Sequence, residues 1–296
     1  MPSYRDCWLR NERTMNTDKN TPNPIHSILP LGGKGGKGLR LAVKVGSNVL
    51  TRKDGTLDIT RMSALVDQLA ELRREGIEVI LVSSGAVASG RSELRLPADE
   101  TALMDSVEQR QLFSAVGQAK LMGRYVELFR DHGIHVGQVL TMKENFTSGE
   151  QYDNQQQCMK AMLAHGVLPI VNENDTVCVT ELMFTDNDEL SGLVAQMMHC
   201  EALVILSNID GIFTGPPTDP SSEVIREVPL GTDLSRYLQA EHSSAGRGGI
   251  QSKYHTAQAV AAAGIHVFIA NGKREHILCD VILHPELVPF THFLPQ

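Results

Sequence analysis

Two apolar stretches separated by one amphipathic helical pattern constrain this chain more than anything else in it. Residues 39–50 read LRLAVKVGSNVL, and residues 78–84 read EVILVSS. Between them Asp58 stands as an N-cap before ITRMSALVDQLAELRREG, whose Ile59, Met62, Leu65, Val66, Leu69 and Leu72 recur at helical spacing and stop at Gly76. A strand with a continuous apolar middle is buried on both faces. Strand, helix and such a strand in succession predict a parallel βαβ unit, because parallel neighbours need a long crossover.

The remaining chain repeats that alternation. Helical patterns at 106–132, at 150–165 and after Asp188 up to His199 are interleaved with apolar strands at 134–140, 167–171 and 202–206. A short helix at 234–241, an alanine-rich helix after Lys253 and a strand at 266–270 follow. The fold class is therefore α/β with a mostly parallel sheet.

Polar residues gather where these strands end, which is where open α/β sheets bind ligands. The first strand carries Lys44 and runs into Gly46 and Ser47; the second ends in Ser83-Ser84-Gly85-Ala86. The strand at 167–171 runs straight into Asn172-Glu173-Asn174-Asp175, and the strand at 202–206 into Ser207-Asn208-Ile209-Asp210-Gly211. A lysine is almost never buried without a partner, so Lys44 is expected at a strand end with its ammonium in a polar cavity. Gly46 beside it would let backbone N–H groups approach a ligand. Taken alone, that stretch is better explained as an edge-strand lysine snorkelling to water. Thr185-Asp186-Asn187-Asp188 precedes a helix that Asp or Asn could simply cap. Gly246, Gly248 and Gly249 precede another helix carrying Lys253 in its first turns, an anion site by chemistry. By spacing, that segment is neither a Walker A loop nor a dinucleotide fingerprint.

Composition limits the partners. The formal charge is −8, and the acidic balance lies in the body, since the residues up to Arg40 are net basic. An acidic body argues against nucleic acid, though not against phosphate ligands. No apolar run approaches the roughly 20 residues that span a membrane. Asp6, Glu12 and Asp18 spoil a transit-peptide pattern, so a cytoplasmic location is expected. The five cysteines, Cys7, Cys158, Cys178, Cys200 and Cys279, form no CxxC pair and are expected as reduced thiols. No metal-ligand spacing stands out. Residues 1–38 have the composition of a disordered leader or linker, and GGKGGKG within them lacks the closing GK[ST] of a phosphate loop.

Five stretches in order, VKVGS at 43–47, VSSGA at 82–86, NEND at 172–175, DND at 186–188 and Gly248-Gly249 with Lys253, resemble the amino acid kinase family. NEND followed by DND, and SAVGQAKLMGRY at 114–125, resemble its glutamate-phosphorylating branch. The resemblance covers residues 39–272. It implies a three-layer αβα sandwich spanning 39–296, the amino acid held by the earlier half and ATP by the later. It further implies transfer of a phosphoryl group from ATP to the side-chain carboxylate of L-glutamate, giving glutamyl 5-phosphate on the way to proline. By position, Lys44 and Lys253 would neutralise the transferring phosphoryl group, and Asp188 would hold both lysines. Ser84, Asp175 and Asn187 match the glutamate contacts. Ser207, Asn208, Arg247, Gly248, Gly249 and Lys253, with Lys44, match the ATP-binding positions. ATP and Mg²⁺ are the cofactors implied; L-glutamate, further copies of the chain, and L-proline as inhibitor are the partners. Neither nucleic acid nor membrane is expected.

An acidic Asp175 suits a free α-ammonium and so favours glutamate over N-acetylglutamate. Acetylglutamate kinase, aspartokinase and a non-catalytic amino-acid sensor of the same fold are the competing readings. NEND with DND weighs against the first two; retention of Lys44, Asp188 and Lys253 weighs against the sensor. The family has Thr-Asp where this chain has Ser207-Asn208, and commonly Thr where Arg247 stands. With 24 residues after Gly272, neither the RNA-binding-like PUA domain nor the reductase domain of some members is expected.

Overall fold

A computed structural model describes residues 38–177, 186–238 and 249–296. The leader assigned to 1–38, apart from Gly38, lies outside the described residues, as do Thr185, Arg247 and Gly248. The sheet has eight strands in the order β3-β4-β2-β1-β5-β7-β8-β6. They are β1 (Arg40–Val45), β2 (Glu78–Ser83), β3 (Val136–Thr141), β4 (Leu168–Glu173), β5 (Ala202–Ser207), β6 (Glu227–Val228), β7 (His266–Asn271) and β8 (Thr291–Phe293). Only β7 and β8 pair antiparallel. β1 lies between β2 and β5, so the chain builds outward from it in both directions. That reversal is the topological switch where open sheets hold ligands.

Ten helices flank the sheet among the described residues: α1 (Ser47–Leu50), α2 (Ile59–Arg74), α3 (Ala86–Leu94), α4 (Ala98–Ala102), α5 (Ser106–Arg130), α6 (Glu150–Ala164), α7 (Asn187–Met197), α8 (Ser235–Leu238), α9 (Ile250–Ala262) and α10 (Ile277–Leu283). Alternation along β1 assigns the layers. Leu41, Val43 and Val45 pack with Met62, Leu65, Leu69 and Leu72 of α2, Tyr125 and Phe129 of α5, and Ile277 of α10. Ala42, with Ile80 and Val82 of β2, faces Leu190 and Val194 of α7 and Ala257 and Val260 of α9. Each of these large side chains contributes about 1.5–3 kcal/mol by burial. The result is the three-layer αβα sandwich.

Glycines let helices within a layer approach closely. A Cβ at Gly117 of α5 would stand 1.8 Å from the Ala86 carbonyl oxygen, and one at Gly90 of α3 equally close to that of Phe113. In the opposite layer a Cβ at Gly192 of α7 would meet Val260 Cγ2 of α9 at 2.8 Å. These contacts fix α3 against α5 and α7 against α9. Asp58 caps α2 as expected, accepting from Arg61 N, and the structure adds a capping box of Asp105 with Glu108 at the start of α5.

The end of β4 differs from expectation. β4 runs on to Glu173, because Asn172 and Glu173 continue the ladder opposite Leu140 and Thr141. The segment 95–105 contains the one-turn helix α4, opened by Asp99 and Glu100 at its positive end. Among the described residues, no helix is long and apolar enough to cross a membrane.

Candidate functional site

The polar ends of β1, β2, β4 and β5 converge on the N-terminus of α7. Lys44 shares the face of Ala42, so its side chain rises from an apolar strand into the α7 and α9 layer and is only 5% exposed. Lys253, four residues into α9, is equally buried and approaches from the opposite side. Asp188, wholly buried, lies between them, with Lys44 Nζ 2.7 Å from Oδ1 and Lys253 Nζ 2.9 Å from Oδ2. Burial pushes the Asp188 carboxyl up, but the two ammonium groups outweigh it and hold the carboxyl below its ordinary range. One carboxylate thus fixes two cations, leaving an excess of positive charge beside it.

Gly46 serves this arrangement otherwise than expected. Its N–H donates to the Leu206 carbonyl at 3.2 Å rather than standing open to a ligand. What the glycine supplies is room, since a Cβ there would lie 3.4 Å from Lys44 Nζ.

Three consecutive residues at the start of α7 point three ways, as a helix advancing about 100° per residue requires. Asp186 caps the helix through Asp188 N and Glu189 N, at 2.8 and 3.1 Å, and accepts from Ser252 of α9. Burial and the neighbouring Asp188 raise its carboxyl. Asn187 turns towards the other half of the site, where Nδ2 donates to Ser84 Oγ at 2.9 Å and to Asn172 Oδ1 at 3.1 Å. Asn172 Nδ2 in turn donates to Gln118 Oε1 of α5 at 3.0 Å. Ser84 follows β2 directly and precedes Gly85, whose φ of 109° lies in the left-handed region and allows the sharp entry into α3. Ser84, Asn172, Asn187 and Gln118 therefore form one chain of amides and a hydroxyl.

Asp175 sits in the turn after β4, 8% exposed, and accepts from Arg110 Nε of α5 at 2.6 Å. Arg110 Nη2 lies 2.5 Å from Asp175 Oδ1 and also 2.5 Å from Glu173 Oε2. Ser207 is buried at the end of β5, Asn208 is exposed beyond it, and Ser207 Oγ stands 3.4 Å from Asn208 Oδ1. Gly249 caps α9 without any side-chain cap bond. Next to these, Asp210 holds Arg274 through two bonds of 2.7 and 2.6 Å and accepts from Asn271 at 2.9 Å.

The structure thus gathers Lys44, Asp188 and Lys253 in one cluster and Ser84 with Asn187 in an adjacent one, joined through α7. Asp175 lies in a separate ionic group with Arg110 and Glu173. Sequence reasoning did not single out Arg110, Gln118 or Ser252 and left Asn172 without a role. For α5 a signal existed: Arg110, Ser114 and Gln118 recur every four residues, a polar stripe on a helix flank that is buried at Ser114 and Gln118. Among the described residues, no group of three or more His, Cys, Asp or Glu side chains could hold a metal ion.

The amino acid kinase family model matches residues 40–271. The chain is 64% identical to a glutamate 5-kinase of Bacteroides thetaiotaomicron over 257 residues, covering 87% of this chain and 70% of that protein. It is 45% identical to a glutamate 5-kinase of Chlorobaculum tepidum, covering 81% of this chain and 65% of that protein. The chain thus spans about two thirds of the length of the curated relatives it matches. Among solved structures, the UMP kinase of Bacillus anthracis superposes with a TM-score of 0.60 at 17% identity, covering 86% of this chain and 95% of that one, a likeness of fold alone.

Proposed function

The chain belongs to the amino acid kinase family and, within it, to the glutamate 5-kinases, and on that premise we propose how its residues carry the reaction. The reaction is ATP-dependent phosphorylation of the γ-carboxylate of L-glutamate to L-glutamyl 5-phosphate, the first step of proline biosynthesis. The observation that carries the residue assignment is the single buried carboxylate of Asp188 shared by Lys44 and Lys253.

Glutamate's side-chain carboxylate is ionised at neutral pH, so the nucleophile needs no base. The barrier lies in bringing that anion against the γ-phosphate of ATP. Two preorganised ammonium groups remove much of the repulsion and follow the charge onto the equatorial oxygens of the transferring group. Asp188 holds them in place without itself reacting, because both of its oxygens are already engaged. Lys253 extends the positive N-terminal end of α9, so ATP phosphates lying at Gly249 meet helix and lysine together. Arg247 and Gly248 directly precede Gly249 in the sequence and are proposed for the same phosphates, and Ser207 and Asn208 flank the nucleotide from β5.

The amino acid lies on the other side of α7. Ser84 and Asn187 are pre-set by their mutual hydrogen bond, and Asp175 offers its carboxylate to the α-ammonium. An acylated nitrogen would have no charge for that seat. Asn187 and Asp188 are neighbours, so the residue contacting glutamate and the residue holding the lysines move as one.

Mg²⁺ belongs to this reading on the nucleotide, since the described residues offer no dedicated metal cage and Mg²⁺ ordinarily binds through substrate phosphates. Residues 39–296 are proposed as the catalytic unit, in an assembly of identical subunits. A cytoplasmic setting suits ATP, a free amino acid and the free thiols of Cys158, Cys200 and Cys279. L-Proline shares glutamate's α-carboxylate and charged nitrogen, and is proposed to compete at Ser84, Asp175 and Asn187; an inhibition that glutamate cannot overcome would exclude this.

The test is ADP release with glutamate, N-acetylglutamate and aspartate in turn, with hydroxylamine trapping the acyl phosphate. Hydroxamate from glutamate alone is expected. Equal or greater yield from either competitor would overturn the assignment.

A further inference from the structure

Among the described residues, Arg110 is a strong cation on the amino acid side with no part in the reaction itself. Glu173 and Asp175 are 5% and 8% exposed, and both carboxylates lie 2.5 Å from one nitrogen of Arg110. Two carboxylates so placed repel each other, and burial magnifies the repulsion. Arg110 spans them: Nε and Nη2 engage Asp175 Oδ1, and Nη2 also reaches Glu173 Oε2. A planar guanidinium holds two acids at once in a way that a lysine ammonium, a point charge, does not.

The mounting of Arg110 is rigid. It sits near the start of α5, between two glutamines that tie down separate loops. Gln109 Nε2 donates to the carbonyls of Thr101 and Met104 at 3.0 and 3.1 Å, and Gln111 Nε2 donates to that of Thr176 at 2.9 Å. α5 is pressed against α3 through Gly117 and Gly90, and α3 begins two residues after Ser84. The guanidinium and the Ser84 hydroxyl are therefore fixed to one two-helix body.

We infer that Arg110 is a positioning residue for substrate recognition: it holds Glu173 and Asp175 together so that Asp175 meets the α-ammonium of glutamate at a fixed distance from Ser84. This rests on the proposed role of Asp175 as the ammonium seat. Two acids and one guanidinium welcome a second cation, and the substrate's ammonium supplies it. Arg110 itself does not touch the substrate.

The probes are glutamate and glutarate, which keeps both carboxylates and lacks the ammonium. Arg110→Gln is expected to raise the glutamate KM about ten- to a hundredfold, as loss of one charged contact does. The ATP KM and kcat stay within about threefold, a spread under 1 kcal/mol. The inhibition constant of glutarate stays unchanged in the variant, and Arg110→Lys restores part of the glutamate affinity. An unchanged glutamate KM would overturn the inference. So would a parallel weakening of glutarate, which would put Arg110 on the α-carboxylate instead. A joint fall in kcat, ATP affinity and melting temperature would reduce Arg110 to a support of the fold. Asp175→Asn separates the two claims: if it raises the glutamate KM while Arg110→Gln does not, the seat stands and the positioning role falls. If Asp175→Asn changes nothing, both fall.

Discussion

Replacing Asp188 by Asn keeps its volume and removes the charge that two buried lysines share. In the wild-type chain Lys44 and Lys253 stand 2.7 and 2.9 Å from the two oxygens of that carboxylate, which places the ammonium groups side by side. Taking them as roughly 5 Å apart, their mutual repulsion at an effective dielectric of about 20 is about 3 kcal/mol. The asparagine oxygen can still accept from one lysine, but its NH₂ group faces the other. The second lysine therefore swings away from the phosphoryl position. A loss of that size in the transition state corresponds to about two decades in kcat. Nucleotide binding moves the other way, because ATP brings the negative charge that the pair has lost. Steady-state ADP release should show kcat about a hundredfold down, while titration with a fluorescent nucleotide gives a Kd equal to or tighter than wild type. Breaking a buried pair also costs about 3 kcal/mol of stability, much of it recovered when ATP is added. A variant that retains kcat within about threefold would refute the shared-carboxylate argument. So would a variant that loses ATP affinity and turnover in proportion.

Lys253→Met should lower kcat by about two to three decades while glutamate affinity, measured by protection against thermal unfolding, stays near wild type. Asp175→Ala should raise the glutamate KM far more than the ATP KM; equal effects on both would assign it a structural role. Gly117→Ala forces a methyl against backbone atoms of Ala86 and Gly90 that cannot rotate away, so urea unfolding should show a loss of at least about 3 kcal/mol, and a loss below about 1 kcal/mol would mean that the helices can separate. Burial, with His266 beside it, holds the His292 imidazole down at about 4. The unfolded chain takes up that proton from about pH 6.5 downward and the native state does not, so stability falls between about pH 6.5 and 4 and then levels. His292→Gln should flatten that limb of the urea midpoint; an unchanged slope would place its origin elsewhere.

Much of the sheet was legible because a buried parallel strand is written with a continuous apolar middle, as in β2, β4 and β5. β6 and β8 were not legible, being two and three residues long and anchored by neighbours distant in sequence. Lys44 was visible as a charge inside an apolar strand, yet its meaning depended on Asp188, which local reasoning could equally assign to a helix cap. The cap is in fact Asp186, two residues earlier, and that offset frees Asp188 for the lysines. Gly46 shows the opposite case: its presence was legible and its purpose was not, because the acceptor for its N–H lies on β5. Arg110 escaped because a long helix tolerates arginine anywhere, and only the packing of α5 against the turn after β4 gives it partners.

The distance along the chain between the members of the lysine and aspartate cluster has a consequence for how the protein comes to be folded. Asp188 precedes Lys253 by 65 positions, and Lys44 belongs to the first strand of the sheet. When β1 and α7 come together before α9 docks, the carboxylate has one counter-ion instead of two, and sealing it from water is correspondingly unfavourable. Docking of α9 supplies the second ammonium, along with the close contact at Gly192. Closure of so large a loop is slow relative to local helix formation. Docking of α9 and the assembly of the phosphoryl-transfer charges are then the same event, so a refolding chain regains turnover only once α9 has docked.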